Sequence, residues 1–312
     1  MIDELELVES KLLDRMEHVG LHIGRTPLFR LGGLPDKPEV KIYAKLEWQQ
    51  LGGSVKARPA YNIIKEAILN GHLGNGQRLL DASSGNTAIA YAAVGAALGI
   101  PVTICLPENA SEERKLQLRS FGAEIIYTSM FGGTDEAQEK ARELYDNDPD
   151  RYYYADQYGN EHNWKAHYNH TGNEIISQTD GTVTHFIAGL GTTGTFTGTG
   201  RKLKEYNAGI QLVSQQPDTA MHGLEGWKHM ETAIVPRIYD NTLADSTMEA
   251  DTEEAYRFIK KASREEGLLL SPSAGANMAG AYRLAATLDR GVIVTVFADS
   301  ADKYGEVLKN LF

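Results

Sequence analysis

The sequence contains a single cysteine, Cys105, among its 312 residues. One cysteine excludes an internal disulfide bond and any CxxC metal site. Its setting in the apolar run VTICLP predicts a buried, unreactive thiol in a strand. Lysine and arginine number 31 against 42 aspartates and glutamates, and they form no basic tract. The net charge of −11 disfavours nucleic acid as a partner.

Long apolar runs are also missing, so the sequence predicts no membrane-spanning helix. The acidic, helix-like segment MIDELELVESKLLDRMEHVG lacks the basic start and apolar core of a signal peptide. The hydrophobic content of 42% and the charged content of 23% are ordinary for a globular protein. We therefore expect a cytoplasmic protein with one large or two medium domains.

Strand-like apolar runs alternate with helical segments through most of the chain, which is typical of parallel sheets covered by helices. The predicted fold class is α/β, with two open α/β domains and mostly parallel twisted sheets. The polar stretch YDNDPDR near residue 150 is the predicted boundary. Residues 36–150 then form the N-terminal domain, which includes the strand VKIYAKLE. Residues 1–35 and 151–312 form the C-terminal domain, which includes the strand YYYADQ.

A lysine stands at an unusual place. Gly52, Gly53 and Ser54 lead into a predicted helix, so that Lys56 lies at or near its first turn. The unpaired N–H groups there carry partial positive charge, which favours the neutral form of a lysine. A neutral lysine amine is a nucleophile that condenses with a carbonyl to form a Schiff base.

Three loops at predicted strand ends are rich in small polar residues, at the positions where open α/β sheets bind ligands. The first, DASSGNTAIA, suits a carboxylate, or it merely caps the following helix. Its candidate residues are Ser83, Ser84, Asn86 and Thr87. Another, SPSAGANMAGA, offers Ser271 and Ser273.

The loop HFIAGLGTTGTFTG matches the dinucleotide fingerprint GxGxxG at Gly189, Gly191 and Gly194. The match alone would indicate a nicotinamide-dependent dehydrogenase. That fingerprint needs an acidic residue at the end of the next strand, where this sequence has Gln215 and Gln216.

The same loop suits a single phosphate better. It carries the hydroxyls of Thr192, Thr193 and Thr195 beside N–H groups at a helix start. A Schiff-base lysine and a monophosphate cradle together favour pyridoxal 5′-phosphate (PLP), a cofactor with one aldehyde and one phosphate.

Several motifs occur in the order found in fold-type II PLP enzymes. They are GRTPLFRL, KLEWQQLGGSVKARPA, SSGNTAIAYA, DQYGN, THFIAGLGTTGT and SPSAGAN. From about Ile23 to Tyr304 the sequence resembles this family, whose fold is tryptophan synthase β-like. The resemblance is closest to cysteine synthases (O-acetylserine sulfhydrylases), and HGLEGWKHMETAIVPRIYD favours their B type.

The resemblance implies roles for individual residues. Lys56 forms the internal aldimine and moves the substrate's Cα proton, Asn86 hydrogen-bonds the cofactor's ring oxygen, and Ser273 faces the pyridine nitrogen. The implied phosphate-binding residues are Gly191, Thr192, Thr193, Gly194 and Thr195. The candidate substrate-binding residues are Ser83, Ser84, Asn86, Thr87, Gln157 and Lys228.

The implied reaction is β-replacement on O-acetyl-L-serine or O-phospho-L-serine through an α-aminoacrylate intermediate, which gives L-cysteine. The sulfur donor stays open between sulfide, thiosulfate and a sulfur-carrier protein. The resemblance also implies a homodimer, with a sulfur-carrier protein or serine acetyltransferase as further partners. Lys228 either contacts an acidic substrate group or is a solvated lysine. Because Gln157 follows the predicted boundary, a carboxylate held by Gln157 and the SGNT turn would tie the two halves together.

The sequence departs from the family pattern at Gln50-Leu51, Ala57 and Ser271-Pro272, which leaves substrate preference open. A cystathionine β-synthase or a serine/threonine dehydratase is the alternative within the family, and a non-catalytic PLP-fold scaffold is a more distant one. The histidines of EHNWKAHYNH match no common zinc spacing, so we expect no metal.

Overall fold

The computed structural model describes residues 2–74, 76–83 and 85–312, and for residues 2–10 it describes the backbone only. Helices and strands alternate as the sequence predicts, and the α/β class is confirmed. The strands are β1 (Leu28–Arg30), β2 (Val40–Leu46), β3 (Arg78–Ala82), β4 (Val102–Pro107), β5 (Glu124–Thr128), β6 (Tyr152–Tyr154), β7 (His185–Gly189), β8 (Gln211–Pro217), β9 (Ser246–Ala250) and β10 (Gly291–Phe297).

The helices lie between these strands and beyond them. They are α1 (Ile2–Gly20), α2 (Ala57–Leu69), α3 (Asn86–Leu98), α4 (Glu112–Ser120), α5 (Gly133–Asn147), α6 (Glu161–Ala166), α7 (Gly172–Gln178), α8 (Gly194–Tyr206), α9 (Thr252–Lys261), α10 (Pro272–Ala286) and α11 (Gly305–Leu311). Short π-helical turns follow α6 and α9. None of the helices formed by the described residues is long and apolar enough to cross a membrane.

The described residues divide into two compact units. The first comprises the chain up to Gly24, Gln50–Gly52 and Lys56–His162. Its strands have the order β5-β4-β3-β6, and neighbouring strands are parallel. Every residue of β4 is buried, which explains its uninterrupted apolar sequence. The predicted burial of Cys105 in this strand is confirmed, and burial raises the pKa of its thiol to about 12.

The second unit comprises Arg25–Gln49, Gly53–Val55 and Asn163–Phe312. Its strands have the order β1-β2-β10-β7-β8-β9. Neighbours are parallel except at the edge, where β1 runs antiparallel to β2. The apolar β10 lies inside this sheet between β2 and β7, and its last five residues are buried.

Two strands lie in the opposite sheet from the one to which the sequence assigns them. β2, predicted in the first series, pairs with β10 in the second unit. β6, predicted in the second series, pairs with β3 in the first unit. The polar stretch YDNDPDR therefore joins α5 to β6 inside the first unit. Both differences have one cause. The sheet to which a strand belongs depends on the strands that pair with it, which are distant in sequence and cannot be identified from the strand's own residues.

Candidate active site

Lys56 lies directly before helix α2, which begins at Ala57. The approach is a tight turn in which Gly52 and Gly53 have φ angles of 82° and 61°. Glycine adopts such left-handed values without steric cost. Lys56 is half-buried. The predicted placement of this lysine at a helix start is confirmed, at the end where its neutral form is favoured.

The SGNT turn joins the carboxyl end of β3 to α3. Ser83 is buried, and its hydroxyl accepts a hydrogen bond from the backbone N–H of Gly85 at 3.2 Å. Asn86 is the first residue of α3, and Thr87 is buried beside it. Gly85 occupies the N-cap position, so capping does not account for the hydroxyls of Ser83 and Thr87. The remaining candidate of this turn, Ser84, lies outside the described residues.

Gln157 meets this turn because β6 runs parallel to β3 and the carboxyl ends of both strands lie at one sheet edge. The buried Gln157 accepts a hydrogen bond from the Thr87 hydroxyl at 2.7 Å and donates one to the Ala82 carbonyl at 2.9 Å. Both residues belong to the first unit. The expectation that Gln157 and the SGNT turn lie in different halves is therefore wrong, because β6 pairs in the first sheet.

The predicted cradle, residues 191–195, connects β7 to α8 in the second unit. Thr193 has a φ of 70°, and α8 begins at the next residue, Gly194. The Thr193 hydroxyl is buried and has no hydrogen-bond partner among the described residues. Such a group costs free energy unless a ligand or water supplies the partner. The N-terminus of α8, with its partial positive charge, favours an anion as that partner.

Two side chains that sequence reasoning did not assign support the cradle. Asn163 donates a hydrogen bond from Nδ2 to the Thr192 hydroxyl at 3.2 Å. His167 Nε2 lies 3.3 Å from the Thr195 hydroxyl, and its Nδ1 lies 2.9 Å from the Thr171 hydroxyl. The sequence analysis considers His167 only as a metal ligand and rejects that role, so it does not predict these contacts. The contact with Thr195 arises because the π-helical turn after α6 packs near α8. No local sequence motif predicts this packing.

The segment from His222 to Met230 packs on the same loop. The backbone N–H of Lys228 donates to the Leu190 carbonyl at 2.8 Å. Lys228 is half-buried, and this bond fixes its backbone next to the cradle within the second unit.

Helix α10 begins with two neighbouring hydroxyls. Ser271 is its N-cap, and the Ser271 hydroxyl accepts a hydrogen bond from the backbone N–H of Ala274 at 3.3 Å. The Ser273 hydroxyl lies 3.2 Å from that of Ser271, and both residues are buried. Ser271 is thus used in capping, whereas Ser273 lies in the first turn of the helix.

Asn277, one turn further along α10, ties three elements together. Its Oδ1 accepts hydrogen bonds from the backbone N–H of Gly189 at 3.0 Å and from Gln215 Nε2 at 3.0 Å. Its Nδ2 donates to the Val296 carbonyl at 2.7 Å. Gln215, which stands where the dinucleotide fingerprint needs an acidic residue, therefore forms a hydrogen bond within the protein. Asn277 was not predicted, because its partners come from three distant strands.

The candidate residues thus divide between the two units. The first unit contains Lys56, Ser83, Asn86, Thr87 and Gln157. The second contains Gly191, Thr192, Thr193, Gly194, Thr195, Lys228 and Ser273.

Comparison with known proteins identifies the family of the chain. The family model of the "pyridoxal-phosphate dependent enzyme" matches residues 19–299. A cysteine synthase from Aquifex aeolicus is 47% identical over 289 residues, which cover 90% of this chain and 88% of the relative. A cysteine synthase B from Pseudomonas aeruginosa is 38% identical, with 90% and 93% covered. The crystal structure of a cysteine synthase (OASS) from Entamoeba histolytica superposes with a TM-score of 0.87 at 30% identity, with 94% of each chain covered.

Proposed function

We propose roles for individual residues on the premise that this chain belongs to the pyridoxal-phosphate dependent enzymes and is a cysteine synthase of fold type II. Its cofactor is PLP, and its substrate is a small amino acid. The observation that carries the proposal is the turn at residues 191–195, which begins a helix and contains a buried hydroxyl without a partner among the described residues.

The residues of that turn fit a phosphate group. Thr193 offers a buried hydroxyl, and the start of α8 offers N–H groups in an orientation that favours a dianion. We assign the phosphate to the whole turn, which consists of Gly191, Thr192, Thr193, Gly194 and Thr195. Asn163 and His167 hold two of its threonines in place.

Lys56 is assigned as the catalytic residue. Bound PLP supplies an electrophilic carbon and a conjugated ring that withdraws electrons from the substrate's Cα. The Lys56 amine holds the cofactor and, once released from it, moves the proton at the substrate's Cα. Its position before α2 favours the neutral amine that both tasks need.

The SGNT turn and Gln157 are assigned to the substrate's carboxylate. Ser83, Asn86 and Thr87 present an amide and hydroxyls at the end of β3, and the bond between Thr87 and Gln157 fixes two of the proposed contacts relative to each other. Ser84 completes the proposed set. Asn86 also contacts the ring oxygen of the cofactor in this assignment.

Ser273 is assigned to the pyridine nitrogen of PLP. A neutral hydroxyl leaves that nitrogen less protonated than an aspartate would, so the ring withdraws electrons less strongly. This favours prompt loss of a leaving group from the β-carbon, the reaction that β-replacement needs. The neighbouring Ser271 hydroxyl, 3.2 Å away, helps to orient Ser273.

The proposed substrates are O-acetyl-L-serine and sulfide. Lys228 favours a second candidate, O-phospho-L-serine, because its backbone is bonded beside the cradle and its side chain is cationic. A panel that compares both amino acids, each with sulfide and with thiosulfate, separates them. Lys228→Ala should then lower kcat/KM for O-phospho-L-serine only. Activity on neither amino acid, with release of pyruvate and ammonia from serine, would instead favour a dehydratase.

The assembly proposed for the chain is a cytoplasmic homodimer, with serine acetyltransferase or a sulfur-carrier protein as candidate partners. The family resemblance supports this proposal. Light scattering of the purified holoenzyme, alone and mixed with either partner, tests it. A monomeric mass at all concentrations would contradict it.

A further inference from the structure

Asp81 is a fully buried carboxylate at the end of β3, two residues before Ser83. Its Oδ1 accepts a hydrogen bond from the backbone N–H of Ala82 at 2.8 Å. Its Oδ2 accepts one from the backbone N–H of Gln157 at 3.1 Å. No lysine or arginine pairs with it among the described residues. Burying a carboxylate without a cation costs folding free energy, so the presence of Asp81 here needs an explanation.

The two backbone groups that Asp81 holds belong to residues that are already joined to each other. The Gln157 side chain donates to the Ala82 carbonyl at 2.9 Å and accepts from the Thr87 hydroxyl at 2.7 Å. The hydrogen bonds among Asp81, Ala82 and Gln157 therefore form a closed ring, and the Gln157 side chain extends it to Thr87. These bonds fix both the position and the direction of the Gln157 amide.

The backbone just before Gln157 has a strained conformation that bears on the hydrogen bond between the Gln157 N–H and Asp81. Asp156 has a φ of 45°, a left-handed value that is uncommon for residues other than glycine. Such conformations persist where the surroundings impose them. Here the turn directs the N–H of Gln157 towards Asp81, which is the bond that holds it.

We propose that Asp81 is a positioning residue for the substrate's carboxylate, acting through the backbone of Gln157 and through the Gln157–Thr87 hydrogen bond. This inference rests on the proposed assignment of Gln157 and Thr87 to that carboxylate. The ionised form of Asp81 accepts both N–H bonds, one at each oxygen. Protonation puts a hydrogen on one oxygen and weakens one of the two bonds.

The surroundings of Asp81 make this protonation accessible near neutral pH. Burial, and to a smaller extent the charge of Asp156, raise the pKa of Asp81 to about 7, while the two N–H bonds and the Tyr91 hydroxyl act in the opposite direction. The other titratable groups that sense its charge come from every neighbouring element: Tyr91 on α3, Cys105 on β4, Tyr153 on β6 and Tyr158 in the following loop. Lys140 and Glu143 on α5 act on the pKa of Cys105, Lys140 lowering it and Glu143 raising it.

The test measures KM and kcat for the amino acid substrate in the holoenzyme between pH 6 and pH 8.5. The variants are D81N, Q157A and D156N, and C105A is the matched control. Cys105 pairs with Ala82 on the adjacent strand and is buried beside the same turn, but its side chain makes none of these bonds. Retention of PLP absorbance shows that each variant keeps its cofactor site.

The expected results separate positioning from a general loss of structure. D81N should raise KM by about three- to tenfold, the effect of one lost hydrogen bond, and change kcat by less than about twofold. The wild-type KM should fall as pH rises through the pKa of Asp81, and D81N should lack that step. D156N should move the step to lower pH because it removes a neighbouring negative charge. C105A should retain both the wild-type KM and its pH dependence.

Two results would overturn the inference, and a third would overturn its premise. A wild-type KM and pH profile in D81N, together with a raised KM in Q157A, would show that Asp81 does not position the substrate's carboxylate, and would leave the proposed function intact. If D81N does not fold, a pH dependence of KM that is unshifted in D156N would contradict the role of Asp81 in the same way. A wild-type KM in Q157A would mean that Gln157 does not hold the carboxylate, and the assignment itself would fail.

Discussion

Gly191 lies so close to Gly226 that a β-carbon at position 191 would come within 2.0 Å of the Gly226 carbonyl oxygen. The neighbouring strand end is equally crowded, because a β-carbon on Gly189 would lie 1.9 Å from the ring of Trp227. The segment from His222 to Met230 thus rests on the cradle through glycine backbone, and no side chain fits between them.

Gly191→Ala should therefore weaken PLP binding, because either the cradle or the Gly226 backbone has to move. We expect the variant to lose its cofactor on dialysis while the wild type retains it. Gly74→Ala is the matched control, since a β-carbon at position 74 has no atom within 4 Å. Equal retention of PLP in Gly191→Ala, measured by absorbance after dialysis, would argue against residues 191–195 as the phosphate site.

Lys56→Ala should abolish cysteine synthesis, because it removes the amine to which we assign the binding of the cofactor and the transfer of the proton. The variant should still fold and bind PLP loosely, but borohydride reduction should no longer attach the cofactor covalently to the protein. Lys65→Ala is the control, a lysine on the same helix α2. Near wild-type synthesis in Lys56→Ala would contradict the assigned role.

Thr193→Val should have opposite effects on the cofactor-free and loaded protein. Removing a buried hydroxyl without a partner among the described residues should raise the Tm of the cofactor-free protein. It should also weaken PLP binding about tenfold or more, because a hydrogen bond to a charged group is lost. Thr197→Val, one turn along α8 with a similarly buried hydroxyl, should change the Tm alone. PLP titration and thermal unfolding of both variants measure these effects. Equal PLP affinity in Thr193→Val and Thr197→Val would contradict the prediction.

The pH dependence of stability should change in Asp81→Asn. The pKa of Asp81 is about 7 in the folded protein, against about 3.9 when unfolded. Between these values the folded state binds more protons, so this group's contribution to stability falls as pH rises and is level above pH 7. From pH 4 to pH 8, the unfolding free energy of the variant relative to wild type should rise by on the order of 4 kcal/mol.

Urea unfolding at several pH values measures this difference. Asp289→Asn is the control, because the Asp289 side chain is fully exposed. A difference between Asp81→Asn and wild type that stays constant across the range would mean that Asp81 does not titrate there.

Local motifs were sufficient to predict the parts of the candidate site that are contiguous in sequence. The position of Lys56 before a helix and the turn at residues 191–195 each depend on a few adjacent residues, and the structure has both at the ends of their elements. The contacts of Gln157, Asn163 and Asn277 depend instead on which strands and helices become neighbours. The same limit explains the strands β2 and β6, whose sequences suit either sheet.

The pairing of β2 with β10 bears on the order in which the protein folds during synthesis. The strands of the first sheet all lie between Arg78 and Tyr154 and emerge from the ribosome one after another. β2 emerges before any of them, yet its parallel partner β10 is the last strand among the described residues. Until β10 is made, β2 has only its short antiparallel neighbour β1 to cover its hydrogen-bonding edges. The first sheet is therefore expected to form on the nascent chain, while β2 stays exposed to chaperones and to aggregation until synthesis is nearly complete.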